Sequence, residues 1–154
     1  MIRTAIIILY VLPATAVLSM IAIIVAFFSR TGNPVHIIAR MWSKSILFVS
    51  GIKVDVKGLA NIDPGKSYIY MANHRSNFDI PVLLGCLPIQ FRWLAKAELF
   101  KIPIFGRAMS GAGYVKIDRS NREAAFKSID EVAAKLKNGV SVMIFPEGTR
   151  SQDG

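Results

Sequence analysis

The first thirty residues differ from the rest of the chain in their hydrophobic pattern. No charged residue occurs from Ala5 to Phe28, and Arg3 and Arg30 bound the stretch. About 20 consecutive apolar residues cover the hydrocarbon core of a bilayer. A signal peptide has a shorter apolar region, roughly 7 to 15 residues, followed by a small-residue cleavage site that is not recognisable here. The pattern therefore predicts a retained membrane helix over 5–28, with a kink at Pro13.

A second apolar stretch, from Ile37 to Val49, has helical periodicity. Residues 38, 41, 42, 45, 46 and 49 share one helical face, and Arg40 and Lys44 lie off the centre of that face. Two interpretations fit equally well. The segment is either an amphipathic helix on the membrane surface, with Trp42 at headgroup depth, or an ordinary helix packed on the domain. With the first helix, it makes residues 1–50 the predicted N-terminal membrane anchor.

Beyond Gly51, short runs typical of strands alternate with helical patterns. Strands are predicted at 52–57, 68–72, 91–95, 114–117 and 140–145. Helices are predicted at 78–86, near Leu99 and at 121–137, where Asn121 is the expected cap. The apolar stripe expected on this last helix consists of Ala125, Ile129, Val132, Ala133 and Leu136. The alternation predicts an α/β domain over 51–154, built as a mixed sheet flanked by helices.

The chain is basic as well as apolar. Among its 154 residues, 19 Lys and Arg oppose 10 Asp and Glu, which gives a formal net charge of +9. Such a charge predicts an anionic partner. The basic residues are spread along the chain without a run or a recognisable reader module, so the sequence favours anionic lipid and a phosphate-bearing substrate over nucleic acid. More of them follow the first helix than precede it, which predicts a domain on the cytoplasmic face of the membrane.

Cysteine and histidine usage narrows the chemistry further. One cysteine, Cys86, excludes an internal disulfide, and its place in an apolar helix makes it a poor nucleophile. Two distant histidines and one cysteine offer no ligand cluster, so no metal site is predicted. His36 has no acidic residue near it and is interpreted as a surface residue.

The other histidine, His74, follows a predicted strand and precedes Asp79 by five residues. Histidine is the natural general base at neutral pH, and a nearby carboxylate can fix its tautomer. The two side chains can meet only if the intervening residues form a turn between strand and helix. The alternative is structural, because Ser76 to Asp79 is also a capping-box pattern in which Asp79 caps the helix.

A second polar cluster, from Phe145 to Ser151, follows the predicted buried strand at 140–145. Ligands commonly bind at this end of strands in α/β sheets. Gly148 allows the backbone to approach a ligand, Thr149 offers a hydroxyl group, and Arg150 suits bidentate phosphate binding. Glu147 would orient the arginine or bond a substrate hydroxyl. Taken alone, the Pro-Glu-Gly turn fits an ordinary loop equally well.

Together the two clusters resemble the glycerolipid acyltransferase family. The resemblance consists of Asn73-His74 with Asp79, followed by the run from Phe145 to Arg150. Between them, the segment 96–99 with Pro103 and Gly106, and then the segment 114–119, are similar to the middle motif of the family. The resemblance covers roughly residues 50–154, with the motifs in the order of the family, and the apolar N-terminus looks like its membrane-docking helices.

The resemblance implies a 1-acylglycerol-3-phosphate O-acyltransferase. His74 would deprotonate the sn-2 hydroxyl of lysophosphatidic acid, which attacks the thioester of acyl-CoA or acyl-carrier protein, and Asp79 would orient His74. The product would be phosphatidic acid, with no metal or further cofactor. The residues implied to hold the acceptor are Lys96, Arg119, Glu147, Gly148, Thr149 and Arg150.

The resemblance also leaves alternatives and one departure. The acceptor could instead be glycerol-3-phosphate or another lysophospholipid, and a protein of another class, an inactive membrane-anchored lipid-binding protein, fits the same pattern. Members of the family continue past the glutamate-glycine motif with another strand and helix, whereas this sequence stops at Gly154. We therefore expect a C-terminally truncated sequence with a partial acyltransferase domain.

Overall fold

The N-terminal part of the protein consists of two helices joined by a tight turn. The computed structural model describes residues 2–118, 120 and 122–150, apart from the side chain of Arg3. Helix α1 extends over Ile2–Phe28 and continues through Pro13, and α2 extends over Asn33–Val49. Residues Thr4–Phe28 are long and apolar enough to cross a membrane. Between the helices, Gly32 has φ 71°, and a Cβ there would lie 2.7 Å from the carbonyl oxygen of Ala112, so the turn requires glycine.

A four-stranded sheet forms the centre of the domain. Its strands are β1 (Ile69–Met71), β2 (Phe91–Lys96), β3 (Val115–Ile117) and β4 (Ser141–Ile144), in the order β1-β4-β2-β3. All three pairings are parallel. The predicted α/β class is confirmed, but the described strands make a parallel sheet where the sequence suggested a mixed one. Parallel neighbours need long crossovers, and helices supply them here.

The crossover helices connect the strands in chain order. They are α3 (Asp79–Cys86) between β1 and β2, α4 (Phe105–Gly111) between β2 and β3, and α5 (Arg122–Lys137) between β3 and β4. Short 3₁₀ helices occupy Leu59–Asn61 and Ala97–Lys101. The expected cap residue Asn121 lies outside the described residues. In place of the single helix expected near Leu99, the chain forms the 3₁₀ helix at Ala97–Lys101 and then α4.

The strand predicted at 52–57 does not form. These residues are mostly exposed and pair with no strand of the described sheet, and the Ile52 amide instead donates to the Leu47 carbonyl oxygen at 3.0 Å. Alternating residues fit a strand only where one face is covered, and Val54 remains exposed. The segment therefore connects the helices to the domain without extending its sheet.

The inner face of α5 also differs from the prediction. Val132 is buried, as expected, but Ile129 and Ala133 are exposed and Ser128 is buried. The Ser128 hydroxyl donates to the Lys116 carbonyl oxygen at 2.8 Å, which fixes a polar residue against β3. Because this hydrogen bond satisfies the hydroxyl, Ser128 can be buried on the inner face, where the apolar periodicity predicts Ile129 and Ala133.

Helix α2 packs on the domain with one face and leaves the other exposed. Its buried residues include Val35, Ile46 and Leu47, and the Trp42 Nε1 donates to the Thr15 hydroxyl of α1 at 2.9 Å. Ile37, Met41 and Phe48 remain exposed on the outer face. The structure therefore supports the packed-helix interpretation for the inner face, while the outer face offers an apolar surface.

The interpretation of His36 as a surface residue is wrong. The helix begins at Asn33 and not at 37, so His36 belongs to its first turns and is completely buried. Its Nδ1 lies 3.2 Å from the Tyr114 hydroxyl, and its ring packs edge-on against Phe91. Burial, together with the positive charges of Arg92 and Arg40, lowers the pKa of His36 from 6.5 to about 3. His36 is therefore a neutral core residue.

Candidate active site

The loop between β1 and α3 brings His74 and Asp79 into contact. His74 Nδ1 lies 2.9 Å from Asp79 Oδ2. The same carboxylate oxygen accepts the backbone N–H groups of Arg75 at 2.7 Å and Ser76 at 2.8 Å. Asp79 is the first residue of α3, so the turn predicted between strand and helix places the two side chains together. The same carboxylate oxygen thus binds two backbone N–H groups of the loop and also contacts the imidazole of His74.

These hydrogen bonds keep Asp79 ionised. Partial burial raises the pKa of the carboxyl group, but hydrogen bonds from the Ser76 N–H, the His74 ring and the Arg75 N–H outweigh it and lower the pKa below its ordinary value. An ionised carboxylate can only accept hydrogen bonds, so Nδ1 of His74 carries the proton in this contact. In the tautomer that is protonated only at Nδ1, the lone pair of the imidazole is at Nε2.

An aromatic stack supports the other side of the His74 ring. The ring lies parallel to that of Phe145, with centroids 4.1 Å apart and planes at 13°. Phe145 in turn stacks on Trp93 at 5.1 Å, and Trp93 is buried. The side chain of His74 is only 16% exposed. Asp79 at one edge and Phe145 on one face therefore fix the orientation of the imidazole.

Glu147 connects the two clusters that the sequence singled out. Its Oε1 accepts the backbone N–H of His74 at 3.3 Å, across 73 positions of sequence. The turn after β4 makes this approach, with Gly148 at φ 75° and its amide donating to the Phe145 carbonyl oxygen at 3.1 Å. Glu147 makes no ion pair with Arg150 in the described part of the chain, so the expectation that it orients the arginine is not supported.

The predicted phosphate-binding residues lie along the same edge of the sheet. Lys96 ends β2, and Thr149 and Arg150 follow β4, which pairs with β2. All three are exposed, and Lys96 lies 3.6 Å from Glu98. Gly148 is half-buried in the turn. Arg119 lies outside the described residues. Since the carboxyl ends of parallel strands meet at one edge, these groups lie at the same edge of the sheet as His74, which follows β1.

Sequence reasoning gave Trp93 and Phe145 no role in the site. Phe145 stands inside the glutamate-glycine motif, and Trp93 lies in β2 opposite Met143 of β4. An aromatic residue between a strand and a candidate ligand loop, such as Phe145, indicates a possible role in the site. The sequence does not reveal which ring such a residue contacts. The contact between Phe145 and His74 requires β4 to lie beside β1, and the pattern of a single strand does not reveal its neighbours.

Comparisons with known proteins agree with this arrangement. The family model described as Acyltransferase matches residues 53–154. A chloroplastic 1-acyl-sn-glycerol-3-phosphate acyltransferase of Arabidopsis thaliana is 38% identical over 120 residues, covering 77% of this chain and 33% of that protein. The 1-acyl-sn-glycerol-3-phosphate acyltransferase of Helicobacter pylori is 32% identical over 136 residues, covering 87% of this chain and 56% of that protein.

A solved structure extends the likeness to the whole chain. The crystal structure of PlsC, the 1-acyl-sn-glycerophosphate acyltransferase of Thermotoga maritima, superposes with a TM-score of 0.77 at 28% identity, covering 99% of this chain and 62% of that one. The chain therefore spans between a third and somewhat under two thirds of the length of these relatives. Because the family model matches more than half of the chain and includes both clusters of the site, the chain belongs to the acyltransferase family.

Proposed function

We propose that the protein transfers a fatty acyl group from a thioester donor to the sn-2 hydroxyl of 1-acyl-glycerol-3-phosphate, which gives phosphatidic acid. The observation that carries the proposal is the His74–Asp79 contact, because it leaves a basic Nε2 on a fixed imidazole. The proteins named above, with their stated activity on 1-acyl-glycerol-3-phosphate, support the choice of acceptor.

In the proposed mechanism, Nε2 of His74 accepts the proton of the acceptor hydroxyl. The hydroxyl oxygen attacks the thioester carbonyl carbon and forms a tetrahedral intermediate. Collapse of this intermediate breaks the carbon–sulfur bond, and the leaving thiolate takes the proton from the imidazolium. Asp79 remains ionised throughout and stabilises the transient positive charge on the ring. No covalent acyl-enzyme and no metal is needed for this sequence of steps.

The proposed acceptor site uses the cations at the carboxyl edge of the sheet. Arg150 follows the glycine turn and, since Glu147 bonds the His74 amide, it is available for a bidentate contact with phosphate. Lys96 and Arg119 would add charge, and the backbone at Gly148 and Thr149 would approach the phosphate closely. Binding the phosphate here would hold the sn-2 hydroxyl near Nε2.

The proposed location is a membrane surface, with the domain on its cytoplasmic side. Large apolar side chains are exposed along α1 and on the outer face of α2, and a bilayer would cover them. Ser19 and Ala22 of α1 are buried, and Ala26 approaches α4 at Gly111. Because this half of α1 packs on the domain, we propose that the helix enters the membrane with one side facing protein. Acyl-CoA or acyl-carrier protein would deliver the acyl group from the aqueous side.

The test is acyl transfer by the full-length protein in phosphatidylcholine vesicles, with lysophosphatidic acid and radiolabelled oleoyl-CoA. We expect His74→Ala to lower kcat by about 10²- to 10⁴-fold, the usual contribution of a general base. Asp79→Asn should also reduce kcat, because a neutral amide no longer fixes the tautomer. Asp63→Asn, an exposed substitution in a distant turn, is the matched control and should leave activity unchanged.

Two outcomes would contradict the proposed acyl transfer, and a third would contradict only the proposed acceptor. Transfer that persists in His74→Ala would remove the general base. Tight binding of lysophosphatidic acid without transfer to any lysophospholipid or to glycerol-3-phosphate would identify an inactive lipid-binding protein. Preference for glycerol-3-phosphate in the same assay would keep the chemistry and replace the acceptor.

A further inference from the structure

A basic cavity lies at the opposite edge of the sheet from His74. Its volume is about 340 Å³, near the lower end of the range of about 300–1,000 Å³ usual for ligand sites. The cavity is lined by the end of α1, the turn at 29–32, the end of α4, Lys135 of α5 and the residues that precede β3 and β4. The amino ends of the strands therefore meet here, whereas their carboxyl ends form the candidate active site.

The lining of this cavity is suited to an anion. It includes the cations Arg30, Arg92 and Lys135 and the hydroxyl-bearing residues Ser29, Thr31 and Ser110. One carboxylate, that of Glu131, lies 3.7 Å from Lys135 and is half exposed. Three cations against one carboxylate leave an excess of positive charge around the cavity.

Arg92 gives the strongest support for an anion site, because its charge is buried. The residue is 2% exposed, and its guanidinium donates to the carbonyl oxygens of Thr31 and Phe91, both at 2.9 Å, and to the side chains of Asn33 and Gln90. All of these acceptors are neutral, and within the described residues Arg92 makes no ion pair. A buried charge without a counter-charge is costly, so an anion bound beside it would stabilise the arrangement.

The surroundings of the cavity indicate where the anion comes from. Phe27 and Phe28 directly precede the lining residue Ser29, and their side chains are 86% and 81% exposed. These rings belong to the apolar surface of α1 that we assign to the bilayer. A lipid whose chains lie beside these rings would bring its headgroup to the level of Arg30 and the turn at 29–32.

We propose that this cavity binds the phosphate of an anionic membrane phospholipid, at a site separate from the acceptor site at the carboxyl edge. Bound there, the headgroup would link the turn between α1 and α2 to α5 and to the start of β2. The site would thereby hold the domain at an anionic membrane in one orientation. The inference uses the membrane location proposed above but does not depend on acyl transfer.

The experiment measures binding of the full-length protein to vesicles of phosphatidylcholine with and without phosphatidylglycerol, which is neither the proposed acceptor nor the proposed product. We expect phosphatidylglycerol to strengthen binding. The double variant Arg30→Ala/Lys135→Ala should lose most of this gain, about fivefold or more in partition coefficient. Both side chains lie at the surface of the cavity, so folding should be unaffected, and circular dichroism checks it.

The matched control removes the same charge elsewhere. Lys127→Ala/Lys137→Ala takes two cations from exposed positions of α5 outside the cavity lining, and it should keep most of the gain. Arg150→Ala, at the other edge of the sheet, should keep it as well. An equal loss in both double variants would show general charge attraction and overturn the proposal.

A second arm separates lipid from free phosphate. Inorganic phosphate, added at constant ionic strength, should not displace the protein from the phosphatidylglycerol vesicles, because it lacks the acyl chains that anchor the headgroup. Displacement of the unmodified protein, but not of Arg30→Ala/Lys135→Ala, would assign the cavity to a soluble phosphate and overturn the lipid assignment. Loss of acyl transfer in His74→Ala with unchanged vesicle binding would leave the inference intact.

Discussion

We expect the ring of Phe145 to position the ring of His74. Its face lies parallel to the imidazole with centroids 4.1 Å apart, so the two rings share one orientation. We expect Phe145→Leu to lower kcat about tenfold with little change in KM, since the proposed general base would be less well aligned while the proposed acceptor contacts remain. Steady-state kinetics with lysophosphatidic acid measure both constants.

The controls for Phe145 separate orientation from stability. Phe145→Tyr keeps a stacking ring and should retain most of the activity. Phe126→Leu, on an exposed face of α5, should have no effect on kcat. Equal losses in Phe145→Leu and Phe145→Tyr would show that the ring acts through packing of the core and not through the imidazole.

His36 makes stability sensitive to acid. Its pKa is about 3 in the folded protein and 6.5 as the unfolded reference, so the unfolded state binds more protons between these values and stability falls as the pH drops through this window. Between pH 7.5 and pH 5 the loss is about 2 kcal/mol. Urea unfolding at several pH values measures it.

The variant His36→Gln should flatten that part of the pH profile. Glutamine does not titrate, so the acid-dependent loss assigned to His36 should disappear even though the variant is less stable overall. His74→Gln is the matched control, because it removes the other histidine of the chain. A profile that His36→Gln leaves unchanged would contradict the assignment.

At the scale of secondary-structure elements, α4 depends on a close approach at Gly106. A Cβ at this position would lie 2.1 Å from the carbonyl oxygen of Phe100, and the residue is buried. Gly106→Ala should therefore destabilise the protein by about 1–3 kcal/mol or more, because backbone must move to admit the methyl group. Gly65→Ala, where the nearest atom is a carboxylate oxygen at 3.3 Å, should cost far less in thermal unfolding.

The outer face of α2 is expected to contact lipid. Met41 and Phe48 are exposed there, whereas Ile46 faces the core. Replacing both exposed residues by serine should weaken binding to neutral phosphatidylcholine vesicles by at least about tenfold, since each large apolar side chain contributes roughly 1.5–3 kcal/mol when buried. Ile129→Ser, an exposed apolar residue of α5, is the control. Unchanged binding would place the membrane elsewhere.

The elements that sequence predicted well are those with both a periodic pattern and an end signal. The helix over 33–49 was recognised by its apolar face, but its start was missed because Pro34 at the first turn was not used as a signal. The prediction of a strand at 52–57 was wrong, because alternation of apolar and polar residues does not show whether another element covers the apolar side. The predicted bounds of α5 agree with the observed helix within one residue. Its inner face was predicted incorrectly, because the hydrogen bond of the Ser128 hydroxyl allows this polar residue to be buried.

At the scale of the whole molecule, the sequence indicates the residues of the candidate site but not the residues that hold them in place. His74, Asp79 and Glu147 stand out because their side chains carry chemistry and follow strands. Phe145 and His36 did not, since the first acts through a ring contact and the second through burial. Both depend on strand order, and the order β1-β4-β2-β3 is not written in the periodicity of any single strand.

That strand order has a consequence for how the protein is made. Strand β4, which leaves the ribosome after β1, β2 and β3, lies between β1 and β2 and pairs with both. Within the described sheet, β1 has no other neighbour. The N-terminal helices can therefore reach a bilayer before β1 has its partner in the described sheet, and insertion of β4 then joins β1 to β2. Since contacts so distant in sequence form slowly, we expect the contact between His74 and Glu147 to form late in folding, after the helices and β1 are made.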